Sequence, residues 1–190
     1  MLSEKALAEI AAYKAKYPNA RSALLPALWV AQEENDGHLS REAMTEVAQA
    51  MGLMPAEVIS VASFYSMYNK TPVGKYLIEV CTNISCALLG AERIAQHVEE
   101  RVGVPPGEVS VDGLFTIKHV ECMAACGGAP SIQVNGLYFE NMTPEKVDRL
   151  LEDLRAGKEL RQPLRGEPDG PLVWPTVARS EPAKNEPPKS

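Results

Sequence analysis

An α+β fold is what the sequence predicts: a small helical bundle, then a domain ordered strand, helix, strand, hairpin, helix. Three observations predict it. Residues 1–70 carry apolar positions at helical spacing, punctuated by proline and glycine. From Tyr76 onward the pattern changes to short apolar or alternating runs separated by turn residues. The four cysteines of the chain form two pairs, Cys81 with Cys86 and Cys122 with Cys126, each following a predicted strand.

In the first region, Leu7, Ile10, Ala11 and Lys14 keep helical spacing until Pro18 closes the segment. A second helix starts near Ser22, with Pro26 in its first turns, and stops at Gly37; Trp29 on it is assigned to the core. Ser40 reads as an N-cap, with Ala43, Met44, Val47, Ala48 and Met51 on one face and Gly52 as the stop. Pro55 suits the first position of a fourth helix carrying Val58, Ile59, Val61 and Ala62, and Phe64, Tyr65 and Tyr68 read as packing residues. Short helices on short loops make a small bundle.

In the second region, Tyr76–Val80 is an apolar strand ending at Cys81, and one helix is predicted from about Cys86 to Arg101. Pro105-Pro106-Gly107 breaks the chain before Phe115–Val120, which alternates like a strand. Asn135-Gly136 between Ile132–Val134 and Leu137–Phe139 is a strong hairpin signal. Thr143-Pro144-Glu145 caps the last helix. A helical crossover makes the first two strands parallel, and the hairpin makes the last two antiparallel. That is a thioredoxin-like order whose middle helix has become the loop carrying Cys122 and Cys126. The predicted division is 1–70, 71–160 and a proline-rich extended or disordered tail, 161–190, which holds seven of the 15 prolines and one apolar group, Leu172-Val173-Trp174.

The chain has 190 residues, 45% of them apolar, and a formal net charge of −6. An acidic chain repels phosphate backbones, and lysine and arginine are spread along it, which argues against a nucleic-acid partner. The Ser40–Phe64 stretch has the outline of a helix-turn-helix, but its second helix lacks basic residues. The longest apolar run, Ala23–Ala31, is interrupted by Pro26 and is too short to span a membrane. The N-terminal residues have no signal pattern. The expectation is a cytoplasmic protein without direct membrane insertion.

Cysteines in a reducing compartment point to a metal or redox site rather than to disulfides. The spacing is Cys81-x4-Cys86 and Cys122-x3-Cys126. Structural zinc favours Cys-x2-Cys knuckles, and a thiol–disulfide active site normally needs Cys-x-x-Cys. Neither spacing is present. A [2Fe–2S] cluster, in which each pair of thiolates holds one iron, suits wider loops. Iron–sulfur is therefore preferred, with zinc and a redox dithiol left as alternatives. Cys86 at a predicted helix start would favour thiolate, and Gly127-Gly128 would let backbone N–H groups approach sulfur. His38, His97 and His119 are read as surface or strand residues, not ligands.

Cys81-Thr82-Asn83-Ile84-Ser85-Cys86 and Glu121-Cys122-Met123-Ala124-Ala125-Cys126-Gly127-Gly128-Ala129-Pro130 resemble the E-subunit family of NADH-quinone oxidoreductase, the thioredoxin-like [2Fe–2S] component of respiratory complex I. Val61–Tyr68, Gly90-Ala91 and the run from Val134-Asn135-Gly136 to Val147 resemble it too, and the likeness covers roughly residues 5–160. The family usually has glycine where this chain has Ala124, so a positive φ is not expected there. The resemblance implies one [2Fe–2S] cluster on the four cysteines and electron transfer within the complex. It places FMN and NADH on a partner flavoprotein subunit, with an adjoining iron–sulfur subunit nearby. It also implies a peripheral place on the cytoplasmic face of the inner membrane. The equivalent small subunits of soluble NAD-linked hydrogenases and formate dehydrogenases are the alternative. No Gly-x-Gly-x-x-Gly fingerprint is present, in keeping with NADH binding elsewhere.

Overall fold

The computed structural model describes residues 2–161; the predicted tail, with Trp174, lies outside the described residues. The described residues fall into two compact units, one running to Glu79 and including Val98–Lys118, the other Val80–His97 with the chain from His119 to Arg161.

The first unit is built on the helices α1 (Glu4–Lys16), α2 (Leu24–Glu34), α3 (Arg41–Met51) and α4 (Pro55–Phe64), with a short 3-10 turn at Ala20–Ala23. Their starts follow from local chemistry. The Ser3 hydroxyl accepts the Ala6 N–H at 3.2 Å and the Ser40 hydroxyl accepts the Ala43 N–H at 3.1 Å. Each cap satisfies a donor that the first helical turn leaves free. Pro55 opens α4, and Gly52 closes α3 in the left-handed conformation. Ile10, Leu28, Val47, Met51, Val58 and Tyr68 fill the core between them. Each such side chain contributes about 1.5–3 kcal/mol by leaving water.

Two aromatic expectations are corrected. Trp29 is 43% exposed, its indole N–H donating to Glu33 Oε1 at 2.8 Å. Leu24, Ala27, Leu28 and Ala31 already occupy the inward stripe of α2, so Trp29 falls at the margin. Phe64, at the end of α4, is 81% exposed and stacks edge-on against Tyr65, whereas Tyr68 packs in the core as expected.

The strands are β1 (Tyr76–Cys81), β2 (Phe115–Val120), β3 (Ile132–Val134) and β4 (Leu137–Phe139), in the sheet order β2-β1-β3-β4. Tyr76 N–H donates to the Leu114 carbonyl at 2.7 Å and Thr82 N–H to the Val120 carbonyl at 3.0 Å. Both partners advance by the same interval, so β1 and β2 are parallel as expected. β3 and β4 are antiparallel, with Ile132 opposite Phe139, and Asn135-Gly136 at φ 47° and 84° makes the turn.

The predicted helix from Cys86 to Arg101 is instead two, α5 (Ile84–Leu88) and α6 (Ala91–Val102). Gly90 at φ 91° separates them. Leu88 and Leu89 extend the apolar pattern that suggested one helix, yet they stand 82% and 61% exposed. The last helix, α7 (Pro144–Arg155), starts where Thr143 Oγ1 accepts the Lys146 N–H at 3.3 Å. No helix among the described residues is long and apolar enough to cross a membrane.

Candidate functional site

All four cysteines belong to the second unit. Cys81 is the last residue of β1, and Cys86 sits in α5, which Asn83 caps. Cys122 lies two residues past the end of β2, and Cys126 opens a 3-10 turn, Cys126–Gly128. Because β1 and β2 are parallel neighbours, both cysteine loops leave the same edge of the sheet. Two bonds tie the loops there: Thr82 Oγ1 donates to the Val120 carbonyl at 3.2 Å, and Asn83 Nδ2 donates to Glu121 Oε2 at 2.6 Å.

The thiols form two pairs of different character. Cys81 and Cys86 are buried at 3% and 2% exposure with Ala91 and Ala129, and Met123 of the second loop packs against this cluster. Cys122 and Cys126 are exposed, their sulfurs 3.6 Å apart. Among the described residues no three His, Cys, Asp or Glu side chains gather closely enough to hold a single metal ion. The arrangement is two and two.

Burial pushes the Cys86 thiol above its ordinary pKa. The Ser131 hydroxyl, 3.5 Å from Cys86 Sγ, and the Ser131 backbone pull it back, while neighbouring Cys81 adds to the rise. The helix-start effect expected at Cys86 does not dominate. It sits within a five-residue helix, and its buried setting penalises charge more strongly.

The second loop also departs from expectation. Ala124 adopts φ 61°, the positive value its side chain argued against, and its N–H donates to Cys122 Sγ at 3.3 Å. The amide that reaches sulfur here is therefore Ala124's. Gly128 spends its N–H on the Ala125 carbonyl at 3.0 Å. Its missing Cβ makes room for the Glu140 side chain, which a methyl group would overlap. Tyr138 O–H donates to the Met123 carbonyl at 3.2 Å and holds the loop from β4. Ala129–Pro130 is a cis peptide.

Ser131 is a site residue that the sequence did not single out. A serine at a strand entrance carries no signal of its own; only the strand order brings it beside Cys81 and Cys86. The histidines lie elsewhere in the hydrogen-bond network: His97 pairs with Asp148 at 2.9 Å and His38 with Asn35 at 3.3 Å.

Known proteins resemble this chain. The thioredoxin-like [2Fe-2S] ferredoxin family profile matches residues 10–155. The E subunit of the NADH-quinone oxidoreductase of Mycobacterium tuberculosis is 44% identical over 153 residues, 80% of this chain and 60% of that protein. The chain thus spans 60% of the length of its mycobacterial relatives. An NADH-quinone oxidoreductase E subunit of Rhizobium meliloti, the one numbered 2, is 41% identical over 152 residues, 80% of this chain and 90% of that protein. Subunit 2 of the Thermus thermophilus NADH-quinone oxidoreductase is 45% identical over 151 residues, 78% and 83% of the two chains. The crystal structure of an air-oxidised NAD+-reducing [NiFe]-hydrogenase superposes with a TM-score of 0.61 at 25% identity, over 70% of this chain and 23% of that one. From its profile match and these relatives, the chain belongs to the thioredoxin-like [2Fe-2S] ferredoxin family, the family of the NADH-quinone oxidoreductase E subunits.

Proposed function

We propose that this chain is the electron-carrying E subunit of an NADH:quinone oxidoreductase and holds one [2Fe–2S] cluster on Cys81, Cys86, Cys122 and Cys126. The observation that carries the reading is the two-and-two arrangement of thiols at the ends of adjacent parallel strands. That donor set suits a two-iron cluster, two thiolates for each iron. Bound there, the cluster takes up and returns one electron at a time.

The chain's own groups do the rest. Cys81 and Cys86 offer a dry pair of sulfurs, and Cys122 and Cys126 an exposed pair. The Ala124 N–H donates to Cys122 and stabilises negative charge on its sulfur. Asn83 and Glu121 lock the loops in register. No side chain serves as general acid, base or nucleophile. FMN and NADH belong to a partner flavoprotein subunit, which docks this chain with an adjoining iron–sulfur subunit on the cytoplasmic face of the membrane. Within the chain, residues 1–70, 71–160 and 161–190 act as helical, cluster-binding and tail segments.

The likeness to the NAD+-reducing hydrogenase supports a second reading, the equivalent subunit of a soluble NAD-linked enzyme. Co-purification from the native cell separates the two: membrane-domain partners support the first reading, hydrogenase or formate dehydrogenase subunits the second. The purified chain alone should not oxidise NADH, and activity should return when the flavoprotein partner is added. Stoichiometric flavin on the isolated chain would overturn this division of labour.

A further inference from the structure

Ser131 lies outside the cysteine loops and touches both members of the buried pair. It stands at the entrance to β3 at 1% exposure. Its carbonyl accepts the Cys81 N–H at 3.2 Å, and its hydroxyl lies 3.5 Å from Cys86 Sγ. With Cys86 as a thiolate, the sulfur can only accept, so the hydroxyl must donate.

We infer that Ser131 is a positioning residue that tunes the site: its O–H···S bond to Cys86 raises the reduction potential of the cluster held by the four cysteines. The inference rests on the cluster reading above. A donor aimed at sulfur withdraws electron density, and it stabilises the reduced state more because that state carries one more negative charge. In a dry pocket the bond is not screened by water, so its effect is larger than at Cys122 and Cys126, which solvent already reaches. The Cys81 N–H bond to the Ser131 carbonyl fixes β3 against β1, so the hydroxyl is held at the sulfur by the sheet ladder rather than by a mobile loop.

The test is a redox titration of the reconstituted chain, followed by electron paramagnetic resonance, for wild type, Ser131→Ala and Ser131→Thr. Iron and sulfide content are measured on each. Ser131→Ala should keep both irons and titrate at a more negative potential. The reduced-to-oxidised ratio at the wild-type midpoint should fall by up to about tenfold, which is about 59 mV for one electron. Ser131→Thr keeps the hydroxyl and should stay near the wild-type midpoint. If Ser131→Ala fails to hold iron, the comparison of Ser131→Thr with Ser131→Val, equal in shape and different in the hydroxyl, makes the same measurement. Equal midpoints with and without the hydroxyl, at full iron content, overturn the inference and leave the cluster reading standing. A wild-type chain that reconstitutes no two-iron signal removes the cluster reading, and the inference falls with it.

Discussion

Ala124 holds a conformation that an alanine adopts at some cost. Its φ of 61° puts Cβ close to the following carbonyl, a strain of roughly 1–2 kcal/mol. The return is an N–H aimed at Cys122 Sγ. Glycine would keep that geometry without the strain but would lose more chain entropy on folding, about 0.4–1 kcal/mol. Ala124→Gly should therefore be neutral or stabilising by up to about 1.6 kcal/mol. Ala124→Val should destabilise by more than about 1 kcal/mol, since β-branching makes this region harder to reach. Thermal or urea unfolding of the two variants checks the order; a stabilising valine would refute the strain argument. At this scale the sequence revealed which residues bear sulfur but not which groups face them. Ala124 and Ser131 act through backbone φ and strand order, and neither leaves a local pattern. The Gly127-Gly128 pair looked like the sulfur-facing turn, yet Gly128 is needed for the close approach of Glu140.

Among the elements, those whose ends are set by local chemistry were legible. Ser40 and Gly52 bracket α3 as read, and Asn135-Gly136 makes the hairpin as read. Local hydrogen bonds decide these ends, so the signal sits in neighbouring residues. The break between α5 and α6 was not legible, because Leu88 and Leu89 continue an apolar run that turns out to be exposed. Trp29 failed for a related reason: which residues of α2 face inward depends on α1, α3 and α4, not on α2 alone. Tyr68 shows what the bundle adds to a side chain. Its hydroxyl donates to the Leu25 carbonyl at 2.8 Å. Burial, with Tyr65 beside it, pushes its pKa from 10.0 to about 12. Folding thus favours the neutral phenol. That stabilisation is fully present below pH 10 and is lost as pH rises toward 12. Denaturant unfolding from about pH 9 to pH 12 should show stability falling over that window, and Tyr68→Phe should flatten the fall. The same variant should cost about 1 kcal/mol at neutral pH by removing the hydroxyl's hydrogen bond to the Leu25 carbonyl. An alkaline slope unchanged in Tyr68→Phe would assign it to another group.

For the whole molecule, the strand order matters most. Placing β1 beside β2 brings together the two loops that carry the cysteine pairs, which lie far apart in sequence. The parallel crossover that does this was readable from the alternation of strand and helix, and with it the meeting of the loops. The buried and exposed character of the two pairs was not, since it depends on how α5, the second cysteine loop and Ala129 close over Cys81 and Cys86. The division of labour in the proposed assembly rests on the same site, because a chain that holds only a cluster needs a partner to meet NADH. The most direct test is iron, sulfide and zinc analysis of the anaerobically reconstituted chain, with electron paramagnetic resonance after one-electron reduction, repeated on Cys122→Ser/Cys126→Ser. The account predicts two irons and two labile sulfides per chain, with a spin-half signal on reduction that the double variant abolishes. One zinc without sulfide, or a two-iron signal that survives the loss of both exposed cysteines, would contradict it.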